Sequence, residues 1–148
     1  MSVTVRDIAE NDFFGWLPLF DAYCAVRGAQ LDDTKALIVW SWIQDARSAL
    51  RAALAVDDEG TPVGLVHYHS EPRTLDASTV VVVDDLHVTD EHRRNGVAKQ
   101  LLDLVRGRAT ELNATRIAWT NDPGDADGIR LSDEVARRRP AVAFEMEL

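Results

Sequence analysis

Between Asp85 and Val105 the chain reads DLHVTDEHRRNGVAKQLLDLV. An apolar strand-like run, VVVVDDLHV, ends in a short polar turn, Arg93-Arg94-Asn95-Gly96-Val97-Ala98, which opens directly into a helical pattern. Gly96 and Ala98 are small enough to let backbone come close to a ligand. The first amides of a helix have no intrahelical acceptor, so they point at whatever sits there. The helix dipole adds partial positive charge at the same place, and two arginines add full charges. These residue types in this order predict a cradle for pyrophosphate. The spacing matches neither the P-loop, which needs G-x-x-x-x-G-K-[ST], nor the dinucleotide fingerprint G-x-G-x-x-G.

Other side chains with chemical potential lie close by. Asp84 and Asp85 are adjacent carboxylates in the same apolar run. Strict alternation puts them on opposite faces of a strand, so only one can face a given cleft unless a bulge intervenes. His67 and His69 sit two apart and share a face. With His87 they hint at a metal site, but no Cys or further carboxylate clusters with them. No metal is expected, and a strand or substrate-facing role is assigned. His92, just ahead of the arginines, reads as exposed. Cys24 lies in an apolar helical pattern and reads as a small core residue rather than a nucleophile.

The elements that must position these groups follow from the pattern of the whole chain. Its 148 residues predict one domain, residues 1–148, with a real core. With 46% apolar residues it should be globular. No apolar run is long enough to span a membrane, so no membrane partner is expected. The start, MSVTVRDIAENDF, has no secretory pattern, and Cys24 has no partner for an internal disulfide. A reducing cytoplasm is the expected home. A net charge of −9 argues against a nucleic-acid partner. It suits a cationic small substrate, and it serves solubility equally well.

Ser2–Asp7 alternates as a strand. Glu10–Arg27 reads as a helix capped near Asn11 or Asp12, kinked or split at Pro18 and stopped at Gly28. A second helix, capped by Asp33 or Thr34, runs to about Ala49. Trp40 and Trp42 cannot share one of its faces. Core packing of both is the expectation, with a cleft or partner surface as the alternative for one. Arg51–Asp57 and Val63–His69 form a hairpin, Ser70–Ala77 a loop and Ser78–Val88 a long central strand. A helix from Asn95 or Gly96 to Leu112 lays Val97, Leu101, Leu104, Val105 and Leu112 on the sheet. Gly107 interrupts it, with close packing as the only evident reason. Thr115–Thr120 is a strand, Ile129–Arg138 a short helix and Ala141–Leu148 a final strand. The order β-α-α-β-β-β-α-β-α-β is an α/β mixed sheet with helices on both faces.

R-x-x-G-x-A after a strand resembles the acyl-CoA signature of the GCN5-related N-acetyltransferase (GNAT) family, whose fold has this element order. The resemblance covers essentially the whole chain and is strongest from Val63 to Ala109. The segments DFFGWLPLFDAY, GLVHYH, DDLHV, RRNGVAKQLL, AWT and RLSDEVA look like the branch holding polyamine, thialysine and some histone acetyltransferases.

The resemblance implies acetyl-CoA as co-substrate, a small primary amine as acceptor and direct attack in a ternary complex. It implies that Arg93, Arg94, Asn95, Gly96, Val97 and Ala98 hold the pyrophosphate. Backbone of Leu86, His87 and Val88 would bind pantetheine and polarise the thioester. Asp84 matches the branch's base, acting through water. Asp85 matches a second acid that contacts the amine or serves structure. Ser132 stands where the family often places a tyrosine acid, and Asp125 replaces an asparagine of the branch. The run Arg137-Arg138-Arg139 reads as solvated, with phosphate contact as the alternative. Family members are often homodimers. Two other readings stay open: a catalytically weak acyl-CoA-binding or regulatory protein, and a protein-lysine acetyltransferase.

Overall fold

The computed structural model describes residues 2–148. Five strands, β1 (Thr4–Asp7), β2 (Leu50–Val56), β3 (Pro62–Arg73), β4 (Ser78–Val88) and β5 (Arg116–Ala118), form one sheet in the order β1-β2-β3-β4-β5. The first four are antiparallel neighbours. β5 lies parallel to β4, which requires a crossover, and α3 (Val97–Glu111) supplies it. α1 (Phe13–Val26) and α2 (Asp33–Gln44) link β1 to β2, and α4 (Ala126–Val135) follows β5.

Alternation along β2 and β3 builds two cores. Ala53, Ala55, Val66 and Tyr68 face α3, where Val97, Leu101 and Val105 meet them. Ala52, Leu54, Val56 and Leu65 face α1, where Trp16, Leu19, Phe20 and Cys24 meet them. Gly64 brings α3 close to the sheet: a Cβ there would lie 3.1–3.2 Å from Leu101, Ala55 and Val97.

α1 is not split at Pro18. The carbonyl deprived of a donor there belongs to Phe14, an exposed residue of the first turn, where water can replace the bond. Gly28, at φ +74°, ends the helix, with its N–H on Ala25 and that of Ala29 on Cys24. α2 is capped by Asp32, one residue before the expected caps, and it ends at Gln44 rather than Ala49. Trp40 packs with Phe13 and Trp16, whereas Trp42 is half exposed, so the two are not both core.

Larger differences concern chain that local pattern and composition misread. Ser70–Arg73 continues β3 instead of forming a loop, pairing with Ser78–Val81 across a short turn. Pro72 is tolerated because the β3–β4 ladder is by then the only one β3 makes: its other neighbour, β2, ends at Leu50 opposite His69. Gly107 has open space around it and so is not a close-packing glycine, and Leu112 is half exposed rather than on the sheet. Ala141–Leu148 forms no strand: it alternates as one, but no strand pairs with it, and Val142, Phe144, Met146 and Leu148 are exposed. A strand exists only where its backbone finds a ladder, and among the described residues 141–148 finds none.

Candidate active site

The central feature is a bulge. In the β3–β4 ladder His67 opposes Asp85 and Tyr68 opposes Val83, so Asp84 has no opposite number. An extra residue resets the alternation, and both carboxylates come to the face that carries His67 and His69. His67 Nδ1 lies 2.9 Å from Asp85 Oδ2. His69 Nδ1 lies 2.7 Å from Asp84 Oδ2, and its Nε2 lies 3.0 Å from Glu71 Oε1. The sequence pattern left open which aspartate faces the cleft; the fold turns both toward it.

The aspartates line a cavity of ≈ 370 Å³ together with Phe20, Trp42, Leu50, His67 and His69. Asp84 also borders a second cavity, ≈ 570 Å³, with Glu71, Arg73, Arg116, Trp119 and Arg139. Asp84 is thus where the two spaces meet. Arg139 comes from the run read as solvated, while its neighbour Arg138 pairs with Asp133 at 2.9 Å.

Electrostatics separate the histidines. Partial burial works against a charge on His69, but the bonds and charges of Asp84 and then Glu71 outweigh it and hold the imidazole above its ordinary range. Burial first, and then the charge of Arg93, holds His87 below that range, so its ring stays neutral near pH 7. Tyr23 lies beside Asp85 and edge-on to His87, with ring centroids 6.0 Å apart. Burial, and then the Asp85 charge, push the phenol upward and keep it protonated.

The predicted cradle lies where β4 ends and α3 begins. Among the described residues β4 pairs with β5 at Val80, Val81 and Val82 alone; beyond that the strands part, and the far edge of β4 from Val83 to Val88 has no strand partner there. Backbone of Leu86, His87 and Val88 lies on this stretch. The chain then turns through Arg93–Gly96 into α3. Gly96, the N-cap, has φ +80°, offers no side-chain cap and has open space where a Cβ would stand. The first amides of α3, Val97 and Ala98 among them, therefore lack a side-chain acceptor from the protein. Arg93 is tethered to the Val88 carbonyl at 3.3 Å, and Arg94 to Asp127 at 3.0 Å. Asn95 is exposed in the turn. His92 is buried rather than exposed: its Nδ1 lies 3.1 Å from Thr89 Oγ1, inside the short helical turn below the cradle. An uncapped helix start, a glycine with free space and an unpaired strand edge together fit the pyrophosphate and pantetheine of acetyl-CoA.

Ser132 is placed differently. Its hydroxyl accepts from Trp119 Nε1 at 2.8 Å and donates to Asn121 Oδ1 at 2.7 Å, and it lines neither cavity. In this arrangement the single proton of the hydroxyl points to Asn121. Asp125 caps α4 by accepting from Gly128 N at 3.0 Å. Among the described residues no group of three or more His, Cys, Asp or Glu side chains could hold a metal. No helix there is long and apolar enough to cross a membrane. Sequence reasoning missed Trp16, Glu71 and Tyr23 as members of this neighbourhood, while Trp42 fits the cleft alternative raised for one of Trp40 and Trp42. The available signal was a histidine pair in one arm of a hairpin and an aspartate pair in the other.

Residues 10–132 match the model of the acetyltransferase (GNAT) family. The chain belongs to that family: it is an N-acetyltransferase, with acetyl-CoA as co-substrate. It is 27% identical to the D-amino-acid N-acetyltransferase HPA3 of Saccharomyces cerevisiae over 144 residues, 97% of this chain and 89% of that protein. The fold is shared with an aminoglycoside N-acetyltransferase, AAC(6')-Iy, solved in complex with CoA (TM-score 0.86, 20% identity, 99% of this chain and 95% of that one). It is shared equally with a ribosomal-protein-alanine N-acetyltransferase from Brucella melitensis biovar Abortus 2308 (TM-score 0.83, 22% identity, all of both chains).

Proposed function

We propose that the chain moves the acetyl group of acetyl-CoA onto a small, cationic primary amine by direct attack in a ternary complex. The observation that carries this reading is the bulge at Asp84. It sets two carboxylates into one cavity beside the point where β4 loses its strand partner. An ammonium group is attracted to such a pair and must lose a proton before it can attack. Asp84, between the two cavities, takes that proton through water, and Asp85 holds the amine. The α3 amides from Gly96 to Ala98, with Arg93, Arg94 and the Asn95 turn, hold the pyrophosphate. The free edge at Leu86, His87 and Val88 binds pantetheine and donates to the thioester oxygen as charge develops there. The tetrahedral intermediate then collapses, and the second proton lost by the amine nitrogen passes through water to the departing CoA thiolate, a thiol pKa being only about 8.5.

The relatives named above act on a D-amino acid, an aminoglycoside and a ribosomal-protein alanine, and a primary amine is the group common to all three. Within the family, the DDLHV and RLSDEVA segments support the polyamine, thialysine and histone branch. Release of CoA thiol with putrescine, a D-amino acid, neamine and an alanine-ended peptide tests the reading. Turnover only with the peptide would replace the small-amine acceptor by a protein one. The exposed apolar side chains of 141–148 support a homodimer, which light scattering of the full chain against one ending at Pro140 tests. The lone Cys24 supports a cytoplasmic location, testable by fractionation.

A further inference from the structure

His67 is the most deeply buried of the buried polar residues, 1% exposed, and the acetyl-transfer reading above gives it no task. Its surroundings define its state. Trp16 Nε1 lies 3.0 Å from His67 Nε2. An indole N–H can only donate, so His67 Nε2 must accept and carries no proton. The ring proton then sits on Nδ1, which faces Asp85 Oδ2 at 2.9 Å, and the bond runs from imidazole to carboxylate. The ring cannot turn to exchange these partners. Phe20 meets it edge-on at 5.0 Å, and Trp16 itself is fully buried against Phe20 and Trp40. The donors therefore point one way, from Trp16 to His67 to Asp85. A neutral imidazole in this tautomer orients the carboxylate without surrendering a proton to it.

We propose that His67 is a positioning residue for acetyl transfer: locked as the Nδ1–H tautomer by the Trp16 indole, it aims the Asp85 carboxylate into the acceptor cavity. The kinetic consequence rests on the acceptor reading given above; the tautomer lock does not. Two measurements keep them apart. In the full chain labelled with ¹⁵N-histidine, NMR near neutral pH should show His67 protonated at Nδ1 and bare at Nε2. Trp16→Phe, which removes only the indole donor, should release this state into a mixture of forms. Asp85→Asn should perturb the His67 signals, and Asp84→Asn should leave them in place. An Nε2–H tautomer in the wild type, or an unchanged signal in folded Trp16→Phe, overturns the lock.

The second measurement uses whichever amine of the four acceptors releases CoA fastest. His67→Phe should raise the KM for that amine about tenfold or more, the size expected for losing a bond to a charged group, with the KM for acetyl-CoA unchanged. His67→Asn can place an amide N–H near the lost Nδ1–H and should recover most of the loss. Equal loss in both variants, or an unchanged amine KM in folded His67→Phe, overturns the positioning role. Failure of the wild type to acetylate any amine refutes the acceptor reading, and with it the kinetic role, and leaves the tautomer to be decided by NMR.

Discussion

His67 and His69 stand two residues apart on β3, each against one aspartate of β4, yet the two pairs are built for different work. The His67–Asp85 pair backs onto aromatic core, with the imidazole sealed between Trp16 and Phe20. The His69–Asp84 pair opens to both cavities, and its imidazole bridges two carboxylates, Asp84 and Glu71. In the first pair a neutral ring fixes a carboxylate; in the second a ring held toward its charged form shares charge with one. The same two residue types thus give a pair locked by a buried donor and a pair shared with a second carboxylate. The difference comes from what stands beside each histidine: an indole N–H that can only donate at His67, and a second carboxylate at His69.

The contrast breaks most sharply on the aspartates. Asp84→Asn should lower turnover by about 10²–10⁴-fold, the range for loss of a general base, with acetyl-CoA affinity unchanged. Asp85→Asn should act mainly on the KM for the amine. Steady-state kinetics with CoA-thiol detection separates the two, and the opposite pattern would exchange their roles.

Stability should follow burial. His67→Leu leaves the Trp16 N–H buried and unpaired, which costs about 1–3 kcal/mol. His69→Gln, at a partly exposed site and above the pH where His69 is charged, should cost less than His67→Leu. Urea midpoints at constant m-value measure both, and equal losses would erase the distinction between the pairs.

The pH response should belong to the exposed pair. The folded-state pKa of His69 is raised, so its stabilising contribution is present below the unfolded value and fades as pH rises through the folded one. Over the same window the loss of its positive charge leaves Asp84 and Glu71 less compensated. The amine KM should therefore fall with rising pH in the wild type and lose that step in His69→Gln. A step that persists in His69→Gln assigns the titration to another group.

The smallest effect is expected away from both pairs. Ser132→Ala removes a bridge between Trp119 and Asn121 but no group facing a cavity. Its turnover should stay within about tenfold of wild type, below the range of a lost acid. A larger loss with unchanged melting temperature would restore Ser132 as a proton relay.

Much of this molecule was legible in the chain. The apolar run of β4, the Arg93–Ala98 turn and the apolar stripe of α3 each announce a local structure whose physics needs no distant partner. Ser78–Val88 emerged with the boundaries the pattern predicts, and the helix expected from Asn95 or Gly96 starts at Val97, with Gly96 as its N-cap. Element ends were less legible. Whether Ser70–Arg73 is loop or strand depends on a register set across the hairpin, and local composition favoured the loop. Ala141–Leu148 has the alternation of a strand, but alternation supplies no ladder.

By itself, then, the sequence determined the order of strands and helices as far as α4 and the place where α3 starts, because short-range periodicity and backbone chemistry control both. It also placed two carboxylates and two histidines in neighbouring segments. Only the tertiary structure decided how they combine. One unmatched residue, Asp84, turns adjacent aspartates to the same face, and strict alternation along an isolated strand forbids that. Trp16, 51 positions from His67 in the chain, then determines where the imidazole proton resides. No local pattern carries that information, because the state of a buried titratable group is fixed by the neighbours that replace its water.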